Sequence, residues 1–360
     1  MSIENAQYKR IPVEEYIRLS NDIFITLGFD KSDADKITDV LLKADLFGVE
    51  SHGISRIQKY IKLISNNIVD IHANPELVFE TPTSAVYDAK SAMGQLVSIQ
   101  AMDKAISKAK EHGIGLVQVR NSNHFGIAGY YVLKALEEGL IGICMTNTMA
   151  IMVPTFAAEA LLGSNPIAFG FPSGGKPFLF DGATTVITRG KVELYKKLNK
   201  ELPYEWTVDS VGEVTYTPEV VLENISEKKG GGILPVGGVG EEQAGYKGYG
   251  FAYICELLTS VLSGGVNSIH KQDKGDTSHA FYAIDPALFG NPEEIKLRAK
   301  TLAEEIHSSK KAKGQPYIFI AGEKEFEREA YDREHGVVLS NESIAELNKI
   351  AEELKIKGLS

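Results

Sequence analysis

Apolar residues recur at helical spacing over the first 65 positions of the chain. Val13, Tyr16 and Phe24 share one face of the first such segment, which stops at Gly28. A run of hydroxyl and carboxylate residues beginning at Ser32 has the form of a capping box, with Asp in place of Glu, and opens the second segment. The pattern predicts three helices, over residues 13–28, 32–48 and 54–64.

After Pro75 the pattern changes to short apolar strands that alternate with helices, which is typical of α/β proteins. The end of the chain returns to charged helical segments, two of them separated by the apolar run Val337–Leu339. The predicted strands cover residues 78–79, 84–88, 115–120, 141–146, 279–284 and 317–321, and the predicted helices cover 98–112, 127–138, 245–262 and 292–307.

Two stretches lack a regular period. Residues 154–177 are dense in Gly, Pro and Asn, and from Lys191 to Gly232 the hydrophobic period fades, with Gly230–Gly232 as the best candidate for a mobile segment. The helical start and end differ in character from the strand-rich middle. We therefore expect two domains, a discontinuous helical one and an α/β one. The helical domain would comprise residues 1–75 plus 290–360, and the α/β domain residues 76–289.

Composition indicates a globular protein without a polyanionic partner. The 360 residues are 43% hydrophobic and 24% charged, which is enough for two domains with a buried core. A net charge of -10 gives no footprint for nucleic acid or an anionic membrane. We find no secretion signal and no apolar run long enough for a membrane span, and Cys144 and Cys255 lie in apolar segments. A reducing, cytoplasmic setting is expected.

Several familiar site motifs are absent. A dinucleotide-binding Gly-x-Gly-x-x-Gly is approached by Gly238 and Gly240, but Gln243 stands where the third glycine belongs. Gly240 and Gly245 have the spacing of a phosphate-binding loop, but Tyr246 replaces the lysine. Zinc-binding patterns, Cys-x-x-Cys pairs and the Gly-x-Ser-x-Gly elbow do not occur either. These absences leave no common nucleotide, metal or hydrolase signature.

The segment Glu50–Arg56 lies between two predicted helices, where free backbone N–H groups favour anions. Its imidazole, His52, can exchange a proton near neutral pH, and the guanidinium of Arg56, one helical turn later, can hold a carboxylate. In the alternative, His52 caps the following helix and Arg56 pairs with a surface acid. The local spacing favours neither interpretation.

Three more polar residues stand at the ends of predicted strands, where ligands of α/β proteins tend to bind. His124 follows one strand, Asp181 ends another, and His279 precedes a third. Asp181 could orient an imidazole and stabilise its charged form. The structural alternatives are an Asn-rich turn at His124, an Asp-Gly turn at Asp181 and a structural role for His279.

Two glycine- and proline-containing turns could bring backbone N–H groups close to a pyrophosphate. They are Gly163–Pro166 and Ile233–Gly238, and turn chemistry alone would explain them equally well. The lysines between Lys191 and Lys200 are expected on a solvated face.

Taken together, these stretches resemble the malate/L-lactate dehydrogenase family, a group without a Rossmann fold that also holds sulfolactate, ureidoglycolate and diketogulonate oxidoreductases. Seven blocks match in chain order, which makes the resemblance far more specific than any single motif. The blocks are Ser51–Arg56, Asn123–Tyr130, Leu162–Ala168, Asp181–Thr185 with Gly190–Lys191, Gly232–Gly238, Gly245–Gly250 and His279–Asp285.

The resemblance implies an NAD(P)-dependent 2-hydroxyacid dehydrogenase with a mixed, largely antiparallel sheet flanked by helices, and a close homodimer. It implies that His52 is the general acid/base with Ser51 and Asp181 in its relay, that Arg56 holds the substrate carboxylate, and that His124 lines the same pocket. The helical domain would carry substrate and dimer contacts, and the α/β domain would bind the cofactor. The residues implied in cofactor binding are Asn147, Ser164, Asn165, Pro166, Lys191, Leu234, Pro235 and Gly237, with His279 close by.

Some positions depart from the usual family pattern and leave substrate and cofactor preference open. Ala157 and Ala158 stand where the family often has two glycines, Ser164 replaces a commoner Thr, and Gly182 replaces a bulkier residue. Malate, oxidised to oxaloacetate by hydride transfer, is the expected substrate, and L-lactate, sulfolactate and ureidoglycolate are the alternatives within the family. The choice between NAD and NADP is not marked by a motif.

Two functions outside the family are kept as remote alternatives. One is a metal-dependent hydrolase with His52, His124 and Asp181 as ligands, although these residues do not follow a known ligand spacing. The other is a catalytically silent binding or scaffolding protein.

Overall fold

A seven-stranded sheet forms the middle of the molecule in the computed structural model, which describes residues 8–359. Residues 1–7, which bear on the expectation of no secretion signal, lie outside the described residues. The strand order is β2-β3-β4-β10-β5-β6-β7, and every neighbouring pair is antiparallel except β3 and β4. The predicted mixed, largely antiparallel α/β fold is therefore confirmed. The strands are β2 (Glu76–Glu80), β3 (Ser84–Asp88), β4 (Ile114–Ser122), β5 (Ile141–Thr146), β6 (Ile167–Phe171), β7 (Phe178–Gly182) and β10 (Thr277–Ile284).

Two helices cover this sheet and close its main hydrophobic core. They are α4 (Gly94–His112) and α5 (Ala128–Glu137), and the core between helices and strands includes Val117, Tyr131 and Phe281, all fully buried. Burying such side chains stabilises the fold by about 1.5–3 kcal/mol each. The loops that leave the sheet are therefore held on a rigid base.

A second core joins the two ends of the chain. Strand β1 (Tyr8–Ile11) pairs antiparallel with β11 (Val337–Ser340), and Tyr16, Phe24 and Leu347 pack together around them. Helix α9 (Pro292–Ser308) has no buried residue and contacts the main chain of Gly174 instead. The domain boundaries near residues 75 and 290 stay a prediction. The remaining helices of this region are α1 (Val13–Thr26), α2 (Lys31–Leu46), α3 (Ile57–Ser65), α10 (Glu323–His335) and α11 (Asn341–Glu353).

The stretch 191–232 is more regular than its sequence predicts. It contains most of α6 (Arg189–Lys197), all of α7 (Pro218–Glu227) and of the strand β8 (Thr207–Val208), and the first residue of β9 (Gly232–Ile233). Val192 and Val221 share a small core, which two short helices can supply without a long periodic pattern. The N–H of Gly231 donates to the Ala158 carbonyl at 2.7 Å, so the proposed mobile segment is hydrogen-bonded.

Smaller differences concern ends of elements. Residues 317–321 form no strand, although the Leu179 N–H donates to the Ala321 carbonyl. Helix α2 is capped by Asp30, whose carboxylate accepts from the Asp33 N–H, and not by Ser32. The predicted helix from residue 245 is confirmed as α8 (Gly245–Glu256), which continues through a π-helical turn, and its end at Gly264 is confirmed as well. Within the described residues, no helix is both long and apolar enough to cross a membrane.

Candidate active site

One edge of the central sheet gathers most of the predicted site residues. Strands β4, β5 and β7 end at this edge, whereas β6 and β10 begin there, because each of these antiparallel neighbours runs the opposite way. The registers place His279 beside Thr146 and Ile167 beside Gly182. Segments far apart in sequence therefore meet. The residues at this edge are His124, Asn147, Ser164, Asn165, Pro166, Asp181 and His279.

The two leading histidines lie against each other. The rings of His52 and His124 are stacked with centroids 5.3 Å apart and an angle of 29°. The loop that carries His124 is fixed by Asn123, whose amide donates to the carbonyls of Ser91 and Ala92, both at 3.0 Å. The helical junction and the loop after β4 thus form one site.

A tight turn presents His52. Glu50–His52 and Ile54–Arg56 are single 3₁₀ turns on either side of Gly53. The hydroxyl of Ser51 lies 2.9 Å from Nδ1 of His52, and Arg56 donates from Nε to the Ser51 carbonyl. This contact holds the guanidinium beside the imidazole and leaves its terminal amines free of any hydrogen bond to a described residue.

Asp45, which the sequence analysis missed, anchors this turn. Its buried carboxylate accepts from the Tyr16 hydroxyl at 2.6 Å and from the Ile54 N–H at 2.8 Å. Burial raises the pKa of Asp45 to about 7. A Cβ on Gly53 would lie 2.0 Å from this carboxylate, so glycine is required there. The available signal was a carboxylate on the apolar face of α2.

The electrostatic potential at the two histidines is positive. Burial, then the charges of Arg56 and Lys59, lowers the pKa of His52 to about 4. Burial also holds the pKa of His124 well below its usual value, with His52 and the same two cations adding to the effect. Lys59 has an ion pair with Asp273 at 3.5 Å, between partly exposed side chains. Both imidazoles are neutral at pH 7, and an anion bound here would raise the pKa of each.

Asp181 does not orient an imidazole. Its carboxylate accepts from the Gly129 N–H at 2.7 Å, at the N-terminus of α5, and no hydrogen bond joins it to His52 or His124 among the described residues. Desolvation raises the pKa of Asp181 to about 6, although the residue keeps a solvent-facing surface. The part of the relay implied for Asp181 is therefore not formed. In residues 8–359, no group of three or more His, Cys, Asp and Glu side chains is placed to hold a metal ion.

Two residues implied in cofactor binding use their side chains elsewhere. The amides of Asn147 and Asn165 donate to the buried carboxylate of Glu256, at 3.0 and 2.9 Å. Glu256 accepts further hydrogen bonds from Ser260 and from the hydroxyl and N–H of Ser268. These two asparagines therefore tie the ends of β5 and β6 to α8.

His279 is part of the scaffold behind the site. Its Nδ1 lies 2.8 Å from the Thr146 hydroxyl and its Nε2 lies 2.9 Å from the Ser122 hydroxyl. The ring stacks on Phe125 at 4.4 Å, and burial lowers the pKa of His279 to about 3. With both nitrogens engaged, this ring supports the His124 loop and offers no free atom to a cofactor.

A cleft beside the sheet edge fits a dinucleotide. Next to it, Leu234 accepts from the Val186 N–H, Pro235 pairs with Thr185, and the Thr184 N–H donates to the Ser164 carbonyl, so the two predicted turns meet. The cavity there has a volume of about 620 Å³. It is lined by Val186, Pro203, Tyr204, Glu205, Trp206, Tyr216, Gly237, Gly238 and Gln243.

Four observations test this fit. The aromatic rings of the cleft offer surfaces on which bases can stack. The buried Thr185 hydroxyl has no hydrogen-bond partner, which leaves it available to a ligand. A Cβ on Gly237 would lie 2.3 Å from the Ala244 carbonyl, so this backbone stays uncovered by a side chain. Lys191, exposed on α6, adds a cation to the same region, with its amine near the Tyr195 ring that contacts Trp206.

Comparison with known proteins points to one family. The malate/L-lactate dehydrogenase family matches residues 11–348. Malate dehydrogenase from Pyrococcus abyssi is 40% identical over 98% of this chain and 97% of its own length. L-sulfolactate dehydrogenase from Methanocaldococcus jannaschii is 37% identical over 94% and 95% of the two chains.

Solved structures agree. Malate dehydrogenase from Pyrococcus horikoshii OT3 has a TM-score of 0.90 at 37% identity, covering 100% of this chain and 99% of its own. Malate dehydrogenase from Entamoeba histolytica has a TM-score of 0.93 at 34% identity, covering 98% and 99%. By these matches the chain belongs to the malate/L-lactate dehydrogenase family, a family of 2-hydroxyacid oxidoreductases.

Proposed function

We propose that the chain is an NAD-dependent malate dehydrogenase. The observation that carries this proposal is the pair of neutral, stacked imidazoles beside Arg56 and Lys59. A neutral imidazole can take a proton from a hydroxyl, and two cations can hold a dianionic acid. The relatives named malate dehydrogenase support the same substrate.

In the proposed reaction, His52 takes the hydroxyl proton during oxidation of malate and returns it during reduction of oxaloacetate. The hydroxyl of Ser51 at its Nδ1 stabilises the charged ring, and the terminal amines of Arg56 bind the carboxylate next to the reacting carbon. Bound substrate would raise the pKa of His52 from about 4 toward neutrality, because its negative charge offsets the positive charges of Arg56 and Lys59. Asp181 is left out of this relay because it bonds to Gly129.

A nicotinamide cofactor supplies the hydride acceptor when it is bound. We propose that the backbone of Ser164–Pro166 and Leu234–Gly237 holds it, with Lys191 close to its pyrophosphate. Of the described residues that line the cleft, Glu205 alone is charged, and its carboxylate also accepts from the Gln243 amide at 3.0 Å. A carboxylate binds ribose hydroxyls and repels a 2′-phosphate, which favours NAD over NADP.

The substrate preference is argued from Lys59. It follows Arg56 by three residues and therefore lies on the same side of the chain, one helical turn further along α3. Its charge reaches both imidazoles. Malate and oxaloacetate carry a second carboxylate that Lys59 can bind, whereas lactate and pyruvate do not. A dianion therefore gains more from this site than a monoanion.

The test compares kcat/KM for oxaloacetate and pyruvate, with NADH and with NADPH. We expect oxaloacetate with NADH to be the best pair. Lys59→Ala should lower kcat/KM for oxaloacetate at least about tenfold, because a hydrogen bond to a charged group contributes about 1.5–3 kcal/mol, and should change that for pyruvate by less than about twofold. Lys62→Ala, an exposed lysine on the same helix, is the matched control. Equal losses for both acids in Lys59→Ala would contradict the role of Lys59, and a wild-type preference for pyruvate would contradict the malate assignment.

We also propose a homodimer. Helix α8 and the turn after it expose a broad apolar face, whereas surface helices of a monomer normally expose polar residues. The exposed residues on this segment include Tyr246, Phe251, Tyr253, Ile254, Leu257, Val261 and Leu262. A second copy of the chain is the occupant proposed for this face.

A further inference from the structure

His124 is held by two groups that the catalytic proposal does not use. The hydroxyl of Tyr60 lies 2.7 Å from Nδ1 of His124, and the Gly126 N–H points at the same nitrogen from 3.4 Å. Tyr60 is fully buried on α3, and Gly126 lies two residues after His124 in the loop. One ring nitrogen of His124 is therefore fixed on the protein side.

The direction of these hydrogen bonds follows from their chemistry. A backbone N–H can only donate, so Nδ1 of His124 is an acceptor. Burial raises the pKa of Tyr60, although the charge of Arg56 and the nearby Gln95 amide oppose the shift, so the phenol keeps its proton at neutral pH. The protonated Tyr60 hydroxyl lies 2.7 Å from this accepting nitrogen, and a phenol O–H can donate. Tyr60 therefore also donates to Nδ1.

We propose that Tyr60 is a positioning residue which, with the Gly126 N–H, holds neutral His124 in the tautomer that carries its proton on Nε2. His124 is then a fixed hydrogen-bond donor and not the base of the reaction. This assignment of roles rests on the proposed function, whereas the tautomer rests on the geometry alone.

His52 and His124 then have different roles in the reaction. In the reduction of a 2-oxo acid, the carbonyl oxygen gains negative charge and takes a proton from His52 while accepting a hydrogen bond from Nε2 of His124. A donor aimed at developing charge lowers the barrier without changing its own protonation state. His124 suits this role because burial keeps its pKa well below neutrality.

The tautomer is read directly by ¹⁵N NMR of protein labelled at histidine, with His124→Gln used to assign the signal. We expect an unprotonated Nδ1 and a protonated Nε2 for His124 at pH 7 in the wild-type protein. Tyr60→Phe should shift His124 toward a mixture of tautomers. Tyr282→Phe removes a hydroxyl that accepts from Gln118 and should leave the His124 signal unchanged. A protonated Nδ1 in the wild-type protein, or an unchanged signal in Tyr60→Phe, would overturn the proposal.

Kinetics tests the division of roles. Tyr60→Phe should lower kcat about fivefold with KM for the oxo acid within about twofold, because the loss of one hydrogen bond costs on the order of 1 kcal/mol. His124→Gln keeps an N–H donor but cannot titrate. If His52 is the base, this variant should retain the pH-dependent limb of kcat/KM, which is the change in kcat/KM as His52 titrates. His52→Gln should abolish that limb. If the limb disappears in His124→Gln and persists in His52→Gln, His124 is the base and the proposal is wrong. If the protein reduces no oxo acid, the proposed function is contradicted. The NMR experiment would still test the tautomer of His124.

Discussion

At the scale of single residues, Ser51, His52 and His124 lie together at the site, whereas both ring nitrogens of His279 are hydrogen-bonded behind it. Ser51, His52 and His124 were predicted to share a pocket, and the structure brings them together. Tyr60 and Asp45 were missed, because their partners come from other elements and an amphipathic pattern marks both simply as buried positions. A residue type at a strand end does not reveal whether its polar atoms are already used.

His279 illustrates this limit and allows a test of pH dependence. Its ring is buried and neutral, with a pKa lowered to about 3, whereas an unfolded chain would protonate it near pH 6.5. The stabilisation of the folded protein by neutral His279 is therefore fully present above about pH 6.5 and is lost as pH falls toward 3. The advantage of the wild-type protein over His279→Gln in the free energy of unfolding should shrink by up to about 1.4 kcal/mol per pH unit below 6.

Urea unfolding at pH 7, 6 and 5 measures this difference. His72→Gln, at an exposed histidine, serves as the control and should show no such trend. An advantage for wild-type protein over His279→Gln that stays constant or widens on acidification would refute the neutral, hydrogen-bonded role of the ring.

At the scale of elements, long amphipathic helices and regular strands were predicted well. The failures are short or polar elements, such as α6 and α7, whose few apolar side chains gain their partners from β9 and from residue 151. Helix α8 was predicted from its apolar run, but the role of Glu256 within it could not be. Its carboxylate is buried by loops that precede β6 and β10, so its partners are set by the topology of the sheet.

Glu256→Gln tests whether this carboxylate joins α8 to the sheet edge. The variant replaces one acceptor oxygen with an NH₂ group, which faces donors at either position. Oε1 accepts from the Asn147 amide and the Ser268 N–H, and Oε2 accepts from the Asn165 amide and the Ser268 hydroxyl. Leaving a buried polar group unpaired costs about 1–3 kcal/mol, so the free energy of unfolding should fall by at least that amount. Chemical denaturation measures it, with Glu242→Gln at an exposed position as the control. Equal stabilities of the two variants would show that the cluster is not a structural joint.

At the scale of the whole molecule, the chain closes on itself through β1 and β11, and an extended apolar face on α8 stays uncovered. The sequence showed that both ends are helical, but not that they pair, since a two-stranded sheet of four residues per strand has almost no periodic signal. It also showed α8 as strongly apolar without indicating which of its residues stay exposed. Exposure depends on how much of the helix the sheet covers, which is a property of the assembled fold.

The proposed dimer follows from this uncovered face and gives a whole-molecule test. Stable interfaces bury roughly 800 Å² per partner around an apolar centre, so a charge placed at that centre should prevent association. Ile254 is 47% exposed on α8, and Ile254→Glu should change a dimer into a folded monomer in light scattering coupled to size exclusion. Val211→Glu adds the same charge at a residue that is 73% exposed in the turn after β8, outside α8, and should leave the dimer intact. A wild-type monomer at micromolar concentration, or an unchanged dimer in Ile254→Glu, would remove α8 as the interface. A loss of dimer in both variants would point to charge and not to this face, because only the α8 position is predicted to meet the second copy.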